Sequence, residues 1–388
     1  MKIVKNLGGM FKGAEFRIHK RKGTGLPPSF LVYQVTKKCN GRCSFCSIWK
    51  AEQGEELTVE DLDNLFTKPF MQDIRWVNLT GGEPFLRKDL PEVATVVRKK
   101  LPEIELVAVP TNGFATNKTL DGTMALLDAL RRRGPDGKVD PPLLSVTVSF
   151  DGLGEAHDKN RGITGGFEKA LESLIGLKEI ANENERLEVG IQVVITRENI
   201  DHLKEIFDYF WEITQHINFT PVTIIPSKYE GTLSEDMVLG EEDIEKMENF
   251  FGDISRKLPA YAYYFSKVLD IKKKERGSKR TYPCLGGYTT MYLDANGYVY
   301  PCTILPSYLR IGNIRNKDIE KMWMGADGDA MRVKLKKFKF CEVCTNNCDI
   351  VANLKEETIN FLAYLLAHPI VFASLIHDIW DGKMKKYI

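Results

Sequence analysis

The sequence predicts an α/β protein: a partial (β/α)6, TIM-like barrel, then a small α+β domain and a helical C-terminal tail. Apolar, β-branched runs at 30–36, 74–80, 104–110, 143–150, 187–195 and 217–225 alternate with helix-like segments at about 58–66, 88–101, 117–133, 165–182 and 198–212. Continuous apolar strands separated by helices build a parallel sheet covered on both faces. Polar, glycine-bearing strings close several of the runs, at the carboxyl ends where barrel sites are built. No G-x-G-x-x-G or Walker A loop follows any strand, which counts against an open nucleotide-binding sheet.

Taken in order, residues 1–27 form a basic N-terminal arm carrying His19-Lys20-Arg21-Lys22 and little apolar periodicity, either solvated or docked on an anionic surface. The barrel spans 28–225, and Thr58 with Asp61 reads as the N-cap pair of its first helix. Residues 226–280 read as a helical connector, with 241–257 its clearest helix and 272–280 a charged link. From 281 to 350 the pattern changes: residues 288–302 alternate around Asn296-Gly297, a strong hairpin signal. Residues 351–388 are an apolar tail.

A chain of 388 residues has room for two or three domains. With 54 basic and 53 acidic residues the net charge is +1, so nothing global points to a nucleic-acid partner. The segment after Met1 is charged rather than apolar, which predicts no signal peptide and a cytoplasmic protein. Eight cysteines in such a chain read as metal ligands before disulfides. They fall in two groups, Cys39 to Cys46 and Cys284 to Cys348, with 237 cysteine-free residues between them.

The first group is Cys39-x3-Cys43-x2-Cys46, directly after the first apolar run. Three thiolates leave one position of a four-iron cluster without a protein ligand, open to a small molecule. The bland alternative is half of a zinc site completed elsewhere. Lys37, Lys38 and Arg42 add positive charge that would lower the thiol pKa values. Thr80-Gly81-Gly82-Glu83-Pro84 closes the second run: paired glycines allow close backbone approach, and Glu83 is placed to meet a cation. Pro110-Thr111-Asn112-Gly113 closes the third run, and Ser149-Phe150-Asp151-Gly152 the fourth, followed by His157, Asp158 and Arg161. Thr196 to Asn199 follows the fifth. Read singly, most of these strings are turns. Arg161 is open to a surface ion pair with Asp158, and His157 to a helix-start role.

Together and in this order, over roughly 30–225, they resemble the radical S-adenosylmethionine (SAM) superfamily. The resemblance implies a 4Fe-4S cluster on Cys39, Cys43 and Cys46 whose open iron is chelated by SAM, and reductive cleavage of SAM to a 5′-deoxyadenosyl radical. It implies Phe45 near the adenine, and Gly81, Gly82, Glu83 and Pro84 at the SAM amino group. Thr111 and Asn112 would line the SAM site, with Ser149 and Asp151 suited to the ribose hydroxyls or the methionine end. Arg161 would hold the SAM carboxylate and Asn199 would close the adenine side. A low-potential reductant such as flavodoxin or ferredoxin is implied as partner. No side chain is singled out as catalyst of the hydrogen transfer itself.

Cys284 and Cys302 bracket the hairpin, and Cys341-x2-Cys344-x3-Cys348 follows. This resembles the SPASM and twitch domains that carry auxiliary 4Fe-4S clusters behind many radical SAM cores. Five cysteines fall short of the full SPASM pattern, so one auxiliary cluster is expected. Cys284, Cys302, Cys341 and Cys344 are its expected ligands, with Cys348 as spare or replacement; a zinc ribbon is the alternative.

Ile359 to His377 contains no Asp, Glu, Lys or Arg over 19 residues, at the lower limit of a membrane span. Asn360, His368 and Pro369 count against a span and favour two short helices broken at Pro369. Packing on the core, an interfacial helical hairpin and a span all stay open. Trp380 with Lys383, Lys385 and Lys386 is similar to an interfacial anchor, which predicts peripheral membrane contact through 355–388. Only 38 residues precede Cys39, too few for the peptide-recognition domain of many SPASM maturases. The substrate expected is therefore a small molecule, lipid or lipid-linked, with peptide or protein modification as the alternative. A zinc-stabilised binding scaffold and an iron–sulfur electron carrier are the rivals from other classes; the first predicts colourless protein, the second clusters without SAM cleavage.

Overall fold

The computed structural model describes residues 16, 18–131, 134, 140–222, 239–274, 284–303, 305, 309–335, 337–338, 341, 344 and 358–380. Six parallel strands form the body: β1 (Phe30–Thr36), β2 (Trp76–Gly81), β3 (Leu106–Thr111), β4 (Leu143–Ser149), β5 (Leu187–Ile195) and β6 (Ile217–Pro221). Each pairs with the next. Between them run α1 (Val59–Phe66), α2 (Leu90–Lys100), α3 (Thr116–Leu130), α4 (Glu155–Arg161), α5 (Gly166–Asn182) and α6 (Leu203–Trp211). The expected Thr58–Asp61 capping box opens α1, each side chain taking the other's backbone N–H.

The strands are not apolar on both faces, as the sequence reading expected. From β2 to β6 burial largely alternates. The outward residues are mostly aliphatic, with Phe219 in β6, and pack under the helices as one core. The inward ones include Asn78, Thr80, Ser145, Thr147, Gln192 and Asn218, and they line a chamber of about 470 Å³. Complete (β/α)8 barrels fill this space with bulky side chains; here short polar residues leave it open. Only β1 is buried at every position among these six. Its Leu31, Tyr33 and Val35 join the helix-covered core, and its Phe30 and Val32 meet a second cluster.

That second cluster corrects the picture of a solvated arm at two positions, while the basic run stays exposed or half-buried and residues 1–15 lie outside the described residues. Phe16 and Leu26 are buried in it with Leu285, Tyr288, Tyr292 and Tyr300, and the indole N–H of Trp323 donates to the Leu26 carbonyl at 2.7 Å. The C-terminal module also shares the barrel's sheet. Its β7 (Thr290–Leu293) pairs parallel to β1, and β8 (Tyr298–Tyr300) and β9 (Gly312–Asn313) add antiparallel, giving the order β6-β5-β4-β3-β2-β1-β7-β8-β9. The turn between β7 and β8 is the expected hairpin, with Gly297 at φ 86°, a left-handed position suited to glycine.

The connector holds α7 (Glu241–Ile254) and α8 (Pro259–Lys274), so helix continues into the stretch expected as a charged link. The module adds α9 (Ile319–Met324) and α10 (Ala326–Leu335). The tail is two helices, α11 (Thr358–Ala367) and α12 (Pro369–Trp380), broken at Pro369. Leu365, Val371 and Leu375 pack with Ala262 of α8. Leu366, Ile370, Phe372 and Ile376 stay 80%, 60%, 41% and 38% exposed. Among the described residues no helix is long and apolar enough to cross a membrane.

Candidate active site

The cysteine loop leaves β1 and is held by backbone from three directions. Arg42 and Ser44 donate their N–H groups to the carbonyls of Arg161 and Asn160, at 2.9 and 3.0 Å, at the carboxyl end of α4. Gly162 closes that helix in the left-handed region at φ 64°; a Cβ there would stand 2.5 Å from the Arg42 carbonyl oxygen. Glu83 donates its N–H to the Lys38 carbonyl at 2.7 Å, and Gly82 to that of Thr36 at 2.8 Å.

The paired glycines therefore serve a backbone-to-backbone approach. A Cβ on Gly82 would lie 2.2 Å from the Lys38 carbonyl oxygen, an approach no real side chain makes. Gly82→Ala is expected to push the cysteine loop off its seat. Reconstituted protein should then lose most of about four irons per chain while its far-ultraviolet dichroism stays near wild type. Unchanged iron would show that the loop tolerates the shift.

Cys39, Cys43 and Cys46 are free thiols. Burial pushes Cys39 and Cys46 up to about 11, and at Cys39 the nearby Glu83 charge adds to the effect. This reverses the expected lowering by Lys37 and Arg42. Lys37 Nζ donates instead to the Glu52 carbonyl, and Arg42 bonds the carbonyls of Cys39 and Gly41 and lies over the Trp49 ring. The polar groups that do face the sulfurs are donors. Gly41 N–H meets Cys39 Sγ at 3.4 Å, and Asn112 Nδ2 approaches it at 3.8 Å. Arg161 Nη1 lies 3.8 Å from Cys43 Sγ. Thiols that cost this much to ionise, ringed by donors, fit a metal that deprotonates them. They do not converge on one metal-ion position among the described residues; a four-iron cluster presents a separate iron to each cysteine.

Glu83 is 1% exposed. It accepts from Thr111 Oγ1 at 2.8 Å, Asn112 N at 2.8 Å and Phe85 N at 3.2 Å. Burial nevertheless raises it to about 7, against the lowering by those hydrogen bonds and by Arg161. Asn112 also donates to Asn40 Oδ1 at 2.8 Å, tying the end of β3 to the cysteine loop.

Arg161 pairs with Asp151 at 2.6 Å, both nearly fully buried, and not with Asp158. Asp158 instead accepts from Gly165 N and Phe167 N at the start of α5. The Arg161 guanidinium lies 5.4 Å from the half-buried Phe45 ring. The second oxygen of Asp151 accepts from Val194 N at 2.9 Å. Asn199 spends its amide on Thr196 N and on the Asp151 and Val194 carbonyls. Asp151 and Asn199 thus hold the ends of β4 and β5 together and set Arg161. Ser149 sits on the chamber side of β4 beside Gln192. His157 is fully buried among Phe114, Phe150 and Phe167, and burial with the Arg161 charge pulls it down to about 3.

In the C-terminal module, Cys284, Cys302 and Cys341 are half-buried and Cys344 is buried, none of them in a disulfide. Gly286 lies between the first two: a Cβ there would be 3.3 Å from both Cys284 Sγ and Cys302 Cβ. Its N–H donates to Cys284 Sγ at 3.4 Å, so this pair too fits an anionic sulfur site. Cys348 lies outside the described residues.

The sequence reading missed the chamber wall, Glu188, Gln192, His216 and Asn218. The signal was present as Glu188 and Gln192 four positions apart in Leu187–Ile195 and as polar residues at every second position in 216–220, absorbed there into the apolar average.

Comparison with known proteins agrees with this geometry. A model of the radical SAM superfamily matches residues 33–210, and one of the SPASM iron–sulfur cluster-binding domain matches 284–349. The chain is 24% identical over 326 residues to the AdoMet-dependent heme synthase of Methanosarcina barkeri, covering 77% of this chain and 83% of that protein. It is 26% identical to the sporulation killing factor maturation protein SkfB of Bacillus subtilis, covering 71% and 60%. The crystal structure of Streptococcus suis SuiB bound to S-adenosylmethionine shares the fold with a TM-score of 0.55 at 16% identity, over 85% of this chain and 75% of that one. The chain belongs to the radical SAM superfamily, an enzyme of S-adenosylmethionine and a 4Fe-4S cluster with a C-terminal SPASM domain for auxiliary iron–sulfur binding.

Proposed function

We propose that the enzyme oxidises an unactivated carbon of a small, lipid or lipid-linked substrate at a membrane surface. The reacting part of that substrate would enter the barrel chamber. Bound SAM and its cluster supply the 5′-deoxyadenosyl radical that removes the hydrogen atom. Cys39, Cys43 and Cys46 would hold the cluster, Glu83 would accept from the SAM amino group, and Arg161, set by Asp151, would face the SAM carboxylate. Cys284, Cys302, Cys341 and Cys344 would hold one auxiliary cluster, which would supply an acceptor for the second electron of the oxidation, a proton leaving the substrate with it.

The observation that carries the membrane part is the tail. Its hairpin packs one side on α8 and turns Leu366, Ile370, Phe372 and Ile376 outward, and Lys383, Lys385 and Lys386 follow in the sequence. An apolar face next to basic residues suits an anionic bilayer surface. Wild-type protein is expected to float with vesicles containing anionic lipid and to bind zwitterionic ones more weakly. Leu366→Glu with Ile370→Glu should lower the floated fraction about tenfold or more, the loss of two buried aliphatic side chains. Wild type that stays in the soluble fraction would rule the membrane out.

A second reading, peptide modification, is favoured by the similarity to SkfB, whose name gives a maturation protein. It predicts formation of 5′-deoxyadenosine stimulated by a peptide with no vesicles present.

A further inference from the structure

The chamber wall has an uneven charge. Among the described residues that line it, Glu188 carries the only carboxylate, and none is Lys or Arg. Glu188 Oε1 lies 3.2 Å from His216 Nδ1, the two side chains 20% and 15% exposed. Pairing of β4 with β5 sets Glu188 beside Ser145, whose side chain hydrogen-bonds the carboxylate. Lys178 of α5 acts on it through charge without lining the chamber.

Gly190, the next inward position of β5, keeps the wall open. A Cβ there would stand 2.5 Å from the His216 carbonyl oxygen and 2.7 Å from its Cβ. Its bareness lets His216 lie against the strand. Two residues beyond His216, Asn218 buries its Oδ1 without a hydrogen-bond partner. Burial has raised Glu188 to about 7, the cost of a carboxylate with no guanidinium or ammonium beside it among the described chamber residues. A ligand that brings positive charge and N–H groups recovers that cost; a carboxylate or phosphate adds to it.

We propose that the chamber is a subsite for a protonated amine, its N–H groups received by the Glu188 carboxylate. The assignment rests on the reading that substrate enters the chamber. The amine can belong to a lysine-type side chain of a peptide or to a free amine, including an amine headgroup.

Binding of n-butylamine, n-butanol and butyrate to the reconstituted full chain at pH 8, measured by ligand-observed NMR, tests it. Butylamine should bind saturably and at least tenfold more tightly than the other two. Glu188→Gln should weaken it at least tenfold, and Glu188→Asp less. If Glu188→Gln does not fold, Glu188→Asp decides: a loss of affinity is expected from the withdrawn carboxylate, and unchanged affinity overturns the subsite. Equal binding of the three probes, or wild-type butylamine affinity in Glu188→Gln, overturns it as well. Thr147→Trp, which fills the chamber, separates the two levels. Butylamine binding that survives Thr147→Trp means the chamber is not the site. Binding lost in Thr147→Trp but indifferent to Glu188 means the chamber is right and the amine wrong. A capped Gly-Lys-Gly peptide binding as well as butylamine points to a peptide source, and its exclusion to a free amine.

Discussion

Replacing Cys39, Cys43 and Cys46 together by alanine is expected to lower the iron bound after anaerobic reconstitution from about eight to about four per chain, and to abolish formation of 5′-deoxyadenosine from SAM. The two effects have one cause. Cys39 and Cys46 sit where burial holds a thiol up to about 11, so an ionised triad needs a metal's charge to exist at neutral pH. The irons that remain would sit far along the chain, at Cys284 and beyond, and should be unaffected. About twelve irons in wild type would mean two auxiliary clusters and would overturn the single-cluster assignment. Zinc in place of iron, or iron without SAM cleavage, would sink the proposed chemistry.

How much was legible in the sequence follows from how local each signal is. The βα order, the Thr58–Asp61 cap, the Asn296-Gly297 turn and the break at Pro369 are written in neighbouring residues, and each reappears in the structure. The site strings were legible for the same reason, since each closes a strand and parallel strands deliver their ends to one rim. What the strings do to one another was not legible. Gly82 approaches the Lys38 backbone, Arg161 turns to Asp151 across the gap between β4 and α4, and Arg42 turns away from the sulfurs. These are contacts set by packing, and composition near a cysteine does not report where a charge points. The same limit hid the joining of β7 to β1. A strand of four residues whose positions are all buried shows no period, so nothing local says which sheet it enters. The chamber was missed because Glu188, Gln192, His216, Asn218 and Thr220 were averaged into apolar runs.

Glu83 carries the second large effect, with opposite signs for stability and for SAM. Its folded pKa of about 7 stands above the ordinary 4.5. Below about 4.5 the carboxyl is protonated in folded and unfolded chains alike, and stability does not depend on it. As pH rises from 4.5 to 7 the unfolded chain releases the proton first, so the folded state loses about 3 kcal/mol of stability, at about 1.4 kcal/mol for each pH unit between the two values. Above 7 the loss is complete and constant. A SAM amino group donating its N–H to the ionised carboxylate recovers that cost on binding. SAM affinity should therefore rise with pH, by up to about tenfold per pH unit, until about 7. Glu83→Gln should flatten the rising limb and weaken SAM by about tenfold to hundredfold at about pH 7.5, the worth of a hydrogen bond to a charged group. The same substitution should leave the SAM-free protein at that pH no less stable than wild type. It removes a buried charge, and the one acceptor oxygen it keeps can serve Asn112 N or Thr111 Oγ1 but not both as the carboxylate does. Anaerobic equilibrium dialysis from about pH 5.5 to 8, paired with denaturant melts, reads both signs. A pH-independent affinity in wild type, or a marked loss of stability in Glu83→Gln, would show that Glu83 is a structural hub for Thr111 and Asn112 and not the seat of the SAM amino group.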